Sequence, residues 1–345
     1  MSIVITGSLA YDYIMDFPGK FSDHIMPDKI HQISLSFLVD KLSKQFGGTA
    51  GNIAYSLKLL GHDPLVLACA GNDFDQYRKF WEKHDLSLKY IKEYSEVTCS
   101  SYFVVTDQAD NQIGSFYIGA AQYNKDRSLS EIKEKIQLTV IGPHDPAAMI
   151  KHVSQCQKLK IPYLYDPAFQ IDNFSKDQLQ TGINGCKILI GNDYEMALIE
   201  KKTSYSHEEI VTQVPIVITT LGSKGSVIES SFMSSPACLA GRQARSGIQI
   251  YKKPGFRLSG RNDIIRLHIK PAKPKNTSDP TGAGDAFRAG FLAGYARKFD
   301  LQTCGQMGSV AAVYTVEKYG TQTHEFTMSE FKKRYQENFR TSLNL

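Results

Sequence analysis

The sequence lacks the features that mark membrane proteins, zinc modules and disulfide-stapled domains. No apolar run reaches the ~18 residues that a membrane-spanning helix needs. It has no Cys-x-x-Cys pair, no His cluster at metal spacing and no internal repeat. Its first residues, MSIVITGSLAYDY, lack a basic leader and predict a core strand instead of a signal peptide. The scattered cysteines favour reduced thiols in a cytoplasmic protein and argue against structural zinc. These cysteines are Cys69, Cys99, Cys156, Cys186, Cys238 and Cys304.

The net charge of +5 comes from one stretch of the 345 residues. Residues 231–276 hold ten Lys and Arg but one acid, Asp263, whereas the remainder has 30 basic and 34 acidic residues. The body of the protein is therefore mildly acidic, which disfavours a nucleic-acid partner for the whole chain. We expect residues of about 231–263 to be an exposed, mobile insertion.

Short apolar runs alternate with helical patterns along the chain. Runs that are apolar throughout predict strands buried on both faces, and their alternation with helices predicts an α/β fold with a mostly parallel central sheet flanked by helices. The predicted strands are SIVITG, PLVLACA, LTVIG, PYLYD, CKILIGN and PIVITTLG. The predicted helices cover Ala50–Leu60, Phe74–His84, Pro146–Leu159, Asp193–Lys201, Asp285–Lys298, Leu301–Tyr319 and Met328–Phe339. Functional groups are expected at the C-terminal ends of the strands.

Two stretches interrupt this order with alternating polarity. YDYIMDF with KIHQISLSFLV, and TCSSYFVVTD with NQIGSFYIG, are typical of β-hairpins. We expect their strands, within about residues 12–45 and 97–120, to form a small β lid over one domain spanning residues 1–345.

The motif DPTGAGD, residues 279–285, precedes an apolar helical pattern. Backbone N–H groups of Gly282, Ala283 and Gly284 at a helix start would favour an anion such as phosphate. Asp285 cannot bind that phosphate, because like charges repel, but it can take a proton from an attacking hydroxyl. The alternative is an ordinary helix start with Asp285 complementing the helix dipole.

This motif resembles the C-terminal signature of the ribokinase-like (PfkB) family of carbohydrate and nucleoside kinases, and further motifs follow in the order of that family. GSLAYD, FGGTAGNIAYSLKLLG, NDYE and TTLGSKGS are similar to its other signatures. The resemblance implies an ATP- and Mg²⁺-dependent phosphotransferase, with Asp285 as general base. It places Asp12, Gly47, Gly48 and Asn52 at the substrate, Asn192, Thr220, Gly222 and Gly225 at ATP, and Asn192 and Glu195 at Mg²⁺ through water.

Each of these motifs also has a purely structural interpretation. Asp12 could cap a turn, and Gly47-Gly48 could form an ordinary strand-to-helix turn. Asn192 and Glu195, three residues apart, could form a capping box. We expect the capping role and the Mg²⁺ role of Glu195 to coexist only if its carboxylate points away from the backbone. Thr220 could simply end a buried strand.

Several stretches resemble the bacterial adenosine kinase branch of the family. NQIGSFYIGAA is similar to a lid strand that carries an aromatic residue against the base, here Phe116. This resemblance implies phosphorylation of the 5′-hydroxyl of adenosine or a related nucleoside, by a monomer or homodimer, with a possible monovalent cation. A sugar kinase of the same fold and a non-catalytic nucleoside-binding regulator remain alternatives. His144 departs from the pattern, since asparagine is expected there.

Overall fold

The computed structural model describes residues 2–26, 29, 34–109, 111–231, 248–251 and 264–344. Within these ranges the chain forms a large sheet, a smaller sheet and helices on both faces of the large one. Most of the predicted basic insertion, residues 231–263, lies outside the described residues, as does Cys238. The other five cysteines are buried free thiols.

The large sheet has ten strands in the order β13-β14-β12-β11-β10-β9-β8-β1-β4-β5. They are β1 (Ser2–Thr6), β4 (Leu65–Ala70), β5 (Ile91–Glu93), β8 (Ile136–Ile141), β9 (Tyr163–Tyr165), β10 (Ile188–Asn192), β11 (Ile216–Thr220), β12 (Ser226–Ser230), β13 (Ile248–Tyr251) and β14 (Ile264–Ile269). Strands from β11 to β5 run parallel, while β12, β13 and β14 form an antiparallel margin. The predicted mostly parallel sheet is confirmed.

Helices cover both faces because successive strand residues point to opposite sides. On β1, Ile3 and Ile5 enter one apolar layer and Val4 enters the other. The first layer is built with α1 (Thr49–Leu59), α2 (Asp75–Lys83), α7 (Ala283–Ala296), α8 (Leu301–Val316) and α9 (Met328–Phe339). The second contains α3 (Pro146–Leu159), α4 (Lys176–Asn184), α5 (Asp193–Thr203) and α6 (His207–Gln213). Because the strands from β11 to β5 are parallel, their C-terminal ends lie at one edge of the sheet between these two layers.

The small sheet, here called the lid, has the order β3-β2-β6-β7. Its strands are β2 (Ala10–Asp16), β3 (Lys41–Gly47), β6 (Ser100–Thr106) and β7 (Gln112–Tyr117). The β6–β7 hairpin is antiparallel as expected, and β2 pairs in parallel with β6. The predicted partner of β2 was wrong: β3 begins at Lys41, and residues 34–39 of the proposed strand are irregular.

The structure also contains elements that the sequence patterns missed. Helices α4 and α6 begin at capping boxes, Ser175 with Gln178 and Ser206 with Glu209. That pairing is a local signal that would have predicted both. Within the basic insertion, residues 248–251 form an edge strand paired with β14, so a loop is the wrong description of these four residues.

Candidate active site

Two of the predicted ATP-binding turns lie side by side at the C-terminal edge of the large sheet. Asn192 ends β10 and Thr220 ends β11, and the two residues are register partners. The Thr220 hydroxyl lies 3.5 Å from the Gly191 carbonyl oxygen, to which it donates. Gly222 and Gly225 lie in the turn that follows, which the Leu221 N–H closes by donating to the Gly225 carbonyl at 2.8 Å. Sheet register therefore brings together two motifs that are distant in sequence.

The glycine motif opens α7 as predicted. Gly282 has φ of +77°, a left-handed conformation that strongly favours glycine. The Ala283 N–H donates to the Pro280 carbonyl at 3.2 Å, so it is already paired. In the described part of the chain, the N–H groups of Gly282, Gly284 and Asp285 have no protein acceptor. These three donors at a helix start can accept an anion.

Asp285 lies in the first turn of α7, half-buried and bonded to an amide from another helix. The Asn52 Nδ2 group, on α1, donates to Asp285 Oδ2 at 2.9 Å. Burial raises the pKa of Asp285 to about 6, although the charge of Arg288 and the Asn52 hydrogen bond oppose that shift. A carboxylate with a pKa near 6 is ionised at neutral pH and still basic enough to accept a proton in catalysis.

Asp12 lies on β2 with only 4% of its surface exposed. Burial, together with the nearby charge of Asp285, raises its pKa to about 7, so the two carboxylates share one electrostatic environment. A Cβ atom on Gly47 would collide with the Asp12 carboxylate, which explains why that position must be glycine. The neighbouring Gly48 precedes α1, which carries Asn52. The structure thus brings Asp12, Gly47, Asn52 and Asp285 together.

Three charged residues next to Asp285 complete this site, and two of them were not predicted. Arg288, one turn further along α7, pairs with Asp166 at the end of β9, with 2.6 Å between Nε and Oδ2. The charges of Asp166, Asp285 and Glu195 all raise the pKa of Arg288. A Cβ atom on Gly284 would lie 2.8 Å from Arg288 Nη1, so this guanidinium reaches the helix start. The i, i+3 spacing of Asp285 and Arg288 was a usable signal for Arg288.

Glu195 forms the capping box that was the alternative to its metal role. The Asn192 N–H donates to Glu195 Oε2 at 2.7 Å, and the Glu195 N–H donates to Asn192 Oδ1 at 2.8 Å. The Glu195 carboxylate therefore points toward the backbone, contrary to the condition stated above for combining the capping role with the Mg²⁺ role. Its Oε1 atom takes no part in the capping box. The described residues contain no group of three metal-ligating side chains. A Mg²⁺ near Glu195 would need phosphate and water as its other ligands.

The inner face of the lid carries a row of side chains that begins at Asp12. Asp12, Tyr102 and Phe116 are opposite one another on β2, β6 and β7, so they point to the same side. The Phe116 ring lies 5.4 Å from the Phe169 ring, which follows β9 and is 53% exposed. Phe169 was not predicted. Tyr117 is on the opposite face of β7, as strand alternation requires.

His144 lies below this edge in a buried position. Its Nδ1 atom is 2.7 Å from the Gly142 carbonyl, and its ring faces the buried His152 ring of α3 at 5.6 Å. Burial lowers the pKa of His144 to about 4, so the ring is neutral. Gln170 links His144 toward the aromatic row, because its Nε2 donates to the His144 carbonyl at 2.7 Å.

Comparison with protein families gives one match that covers most of the chain. The pfkB family of carbohydrate kinases matches residues 8–237 and 265–327. These ranges include Asp12, Asn52, Asn192, Thr220 and Asp285. No helix among the described residues is long and apolar enough to cross a membrane.

Individual relatives are similar over nearly the full length. The nucleoside kinase of Methanothermobacter thermautotrophicus is 28% identical over 337 residues, which cover 96% of this chain and 95% of the relative. The nucleoside kinase of Burkholderia thailandensis in complex with inosine superposes with a TM-score of 0.84, at 30% identity and 99% coverage of both chains. The structure of that protein in complex with ADP-inosine superposes with a TM-score of 0.82, at 31% identity. The match covers 99% of this chain and 97% of that one.

Proposed function

The chain belongs to the pfkB family of carbohydrate kinases and is an ATP-dependent kinase acting on an alcohol group; within this family, we propose that it phosphorylates the 5′-hydroxyl of a nucleoside, with adenosine as the first candidate. The observation that carries the proposal is the lid row that leads from Asp12 through Tyr102 to the Phe116–Phe169 pair. A nucleoside needs both a polar group for its ribose and an apolar surface for its base. This row offers the two side by side.

The two ends of the row differ in chemistry. At the Asp12 end, a carboxylate accepts hydrogen bonds from ribose hydroxyls, and Asn52 adds an amide within the same cluster. At the other end, two aromatic rings provide surfaces against which a planar base can stack. Phe169 is exposed although it is large and apolar, so it is free to cover a ligand. A free sugar would use the first end and leave the second without a role.

Asp285 and the start of α7 account for the transfer step in this proposal. The Asp285 carboxylate takes the proton of the attacking hydroxyl as the oxygen–phosphorus bond forms. Unpaired N–H groups of Gly282, Gly284 and Asp285 hold the transferring phosphoryl group, and ADP leaves toward the turns after Asn192 and Thr220. Magnesium bound to ATP would neutralise phosphate charge, with Glu195 as its nearest candidate through water.

Burial supports the same assignment. The pKa of Asp285 is raised only to about 6, so the base is ionised at pH 7 to 8. The Asn52 hydrogen bond keeps one carboxylate oxygen oriented, which holds the base in place before the substrate arrives. An ADP-release rate that rises from pH 5 to pH 7 is therefore expected.

The test is an ADP-release assay of the purified protein with Mg-ATP against adenosine, inosine, guanosine, cytidine, ribose and fructose. We expect nucleosides to be used with a kcat/KM at least ~5-fold above either sugar, since a base adds stacking of ~1 kcal/mol or more. Phe169→Ala should raise KM for nucleosides and leave KM for ATP unchanged. Preference for a free sugar that Phe169→Ala does not change would show that the substrate is a sugar and not a nucleoside. ATP binding without turnover of any substrate would favour a regulator.

A further inference from the structure

The active-site amide of Asn52 is itself held by a buried side chain, that of Gln322. Gln322 follows α8 and is 2% exposed. Its Nε2 lies 3.0 Å from Asn52 Oδ1 and 2.6 Å from the Tyr77 hydroxyl. That hydroxyl in turn lies 2.8 Å from the Gly47 carbonyl oxygen. Gln322 thus links the residue that contacts Asp285 to the glycine that makes room for Asp12.

Counting donors and acceptors leaves one arrangement for these groups. The Gly47 carbonyl can only accept, and the Tyr77 hydroxyl at 2.8 Å is much nearer to it than Gln322 Nε2 at 3.5 Å, so the hydroxyl donates its single hydrogen there. The hydroxyl must then accept from Gln322, whose NH₂ group has a second hydrogen for Asn52 Oδ1. With its oxygen occupied, Asn52 can present only its NH₂ group to Asp285. Each step in this chain fixes the next.

Gln322 keeps this arrangement at a cost. Its own Oε1 atom is buried and has no hydrogen-bond partner among the described residues. An unsatisfied buried acceptor is unfavourable, so the presence of a glutamine at this position calls for a reason. A leucine or methionine of similar size would avoid the cost, but it would leave Asn52 free to rotate its amide by half a turn.

We propose that Gln322 is a positioning residue that fixes the orientation of the Asn52 amide, so that an N–H and never a carbonyl oxygen faces Asp285. The inference rests on the proposed function, because it assigns Gln322 a role through the base Asp285. With the amide reversed, its oxygen would repel the Asp285 carboxylate and displace it from the attacking hydroxyl. The other charged groups around Asp285, which are Arg288, Asp166, Glu195 and Asp12, are unchanged by this rotation.

Gln322→Met and Gln322→Glu test the proposal together. Both should lower kcat about 10-fold or more at pH 7.5, with KM for ATP unchanged. Gln322→Glu keeps the length of the side chain, but its carboxylate attracts the Asn52 NH₂ group away from Asp285, so its loss should be at least as large. In both variants the acid limb of the kcat/KM profile should move to higher pH. Wild-type kcat in either folded variant would overturn the proposal.

A double-mutant cycle separates positioning from general support of the fold. In an Asn52→Ala background the Gln322→Met change should cost less than about twofold in kcat, because no amide remains to be oriented. An equal loss in both backgrounds would assign Gln322 a purely structural role. Gln157→Met is the matched control, since Gln157 Nε2 also bonds a tyrosine hydroxyl and a backbone carbonyl, but far from the site. It should leave kcat and the pH profile unchanged.

Different results would contradict the role proposed for Gln322 and the proposed function on which that role rests. Asp285→Asn with activity near wild type would remove the base and with it the proposed mechanism. An inactive Asp285→Asn variant alongside an unchanged Gln322→Met profile would keep the mechanism and remove only the role of Gln322.

Discussion

Two of the regions that bury carboxylates in the described part of the chain treat the charge in opposite ways. Glu229 on β12 is 2% exposed and accepts hydrogen bonds from Arg266 Nε and His207 Nε2, each at 2.7 Å. Burial opposes ionisation there, but the His207 and Arg266 bonds outweigh it and hold the pKa of Glu229 below its usual range. In the candidate active site, burial prevails and raises the pKa of Asp12 to about 7 and that of Asp285 to about 6.

The difference lies in how completely each charge is compensated. Glu229 has a basic partner for each of its oxygens, so its ionised form is the stable one. Asp12 has a weak 3.5 Å contact from the Thr321 hydroxyl and a second carboxylate, Asp285, nearby. An under-compensated acid costs folding free energy but stays reactive, which is the usual reason for such groups at catalytic sites. We therefore expect substitution of Asp285 to change mainly the activity, and substitutions around Glu229 to change mainly the stability.

The largest contrast should appear in turnover. Asp285→Asn should lower kcat by about 10³-fold or more, because it removes both the proton acceptor and its positioning. Glu229→Gln should leave kcat within about twofold. Steady-state rates with Mg-ATP and saturating nucleoside measure both, with ATP binding by calorimetry as the control for folding. A Glu229→Gln variant as inactive as Asp285→Asn would show that the two regions are not functionally distinct.

The paired arginines give the next contrast. Arg288→Met should lower kcat/KM about 100-fold, since it removes a positive charge that reaches the start of α7. Its loss should be greater at pH 6 than at pH 8, because Arg288 lowers the pKa of Asp285. Arg266→Met should lower the melting temperature and leave kcat/KM within about twofold. If Arg288→Met showed only the same drop in melting temperature, Arg288 would be a structural counter-ion like Arg266.

The smallest contrast concerns stability as a function of pH. The folded pKa of Asp12 lies above its unfolded value near 4, so native Asp12 holds its proton between about pH 4 and pH 7. Its contribution to stability is therefore full below pH 4 and is lost as the pH rises through 7. Asp12→Asn should raise the melting temperature by a few degrees at pH 8 and by less at pH 5.

Glu229→Gln is the opposite case, because its folded pKa is lowered. Its ionised form stabilises the native state above about pH 4.5, so the substitution should lower the melting temperature at both pH 5 and pH 8. Scanning calorimetry of the wild type and both variants measures these shifts. Equal shifts of one sign in the two variants would contradict the proposed difference in compensation.

Local sequence patterns predicted much of the fold, and where they did not, the physical reason is visible. The strand SIVITG and the glycine start of α7 depend on neighbouring residues, so they were predictable. β3 was misplaced because residues 29–39 alternate polar and apolar side chains more clearly than Lys41–Gly47 does, and the pairing with β2 that selects Lys41–Gly47 is not a local signal. Helices α4 and α6 were missed although their capping boxes are local signals.

The residues of the candidate site also fall into those that local sequence patterns indicate and those that they do not. Asp285 and the Asn192–Glu195 capping box could be identified from spacing alone, because each belongs to one helix start. Phe169 and Gln322 could not, because their partners Phe116 and Asn52 lie far away in the chain. An exposed phenylalanine and a glutamine near a C-terminal helix have no local pattern that indicates a site.

The sequence by itself determined the α/β class, the glycine helix start and the acid placed at it, because these depend on periodicity and on contacts within a few residues. Only the tertiary structure decided which carboxylates are compensated. Asp285 meets Asn52 across 233 positions, and Asp12 meets Thr321 across 309. Burial and charge compensation are properties of the folded neighbourhood, so the raised pKa values of Asp12 and Asp285 exist only once the lid, α1 and α7 have packed together.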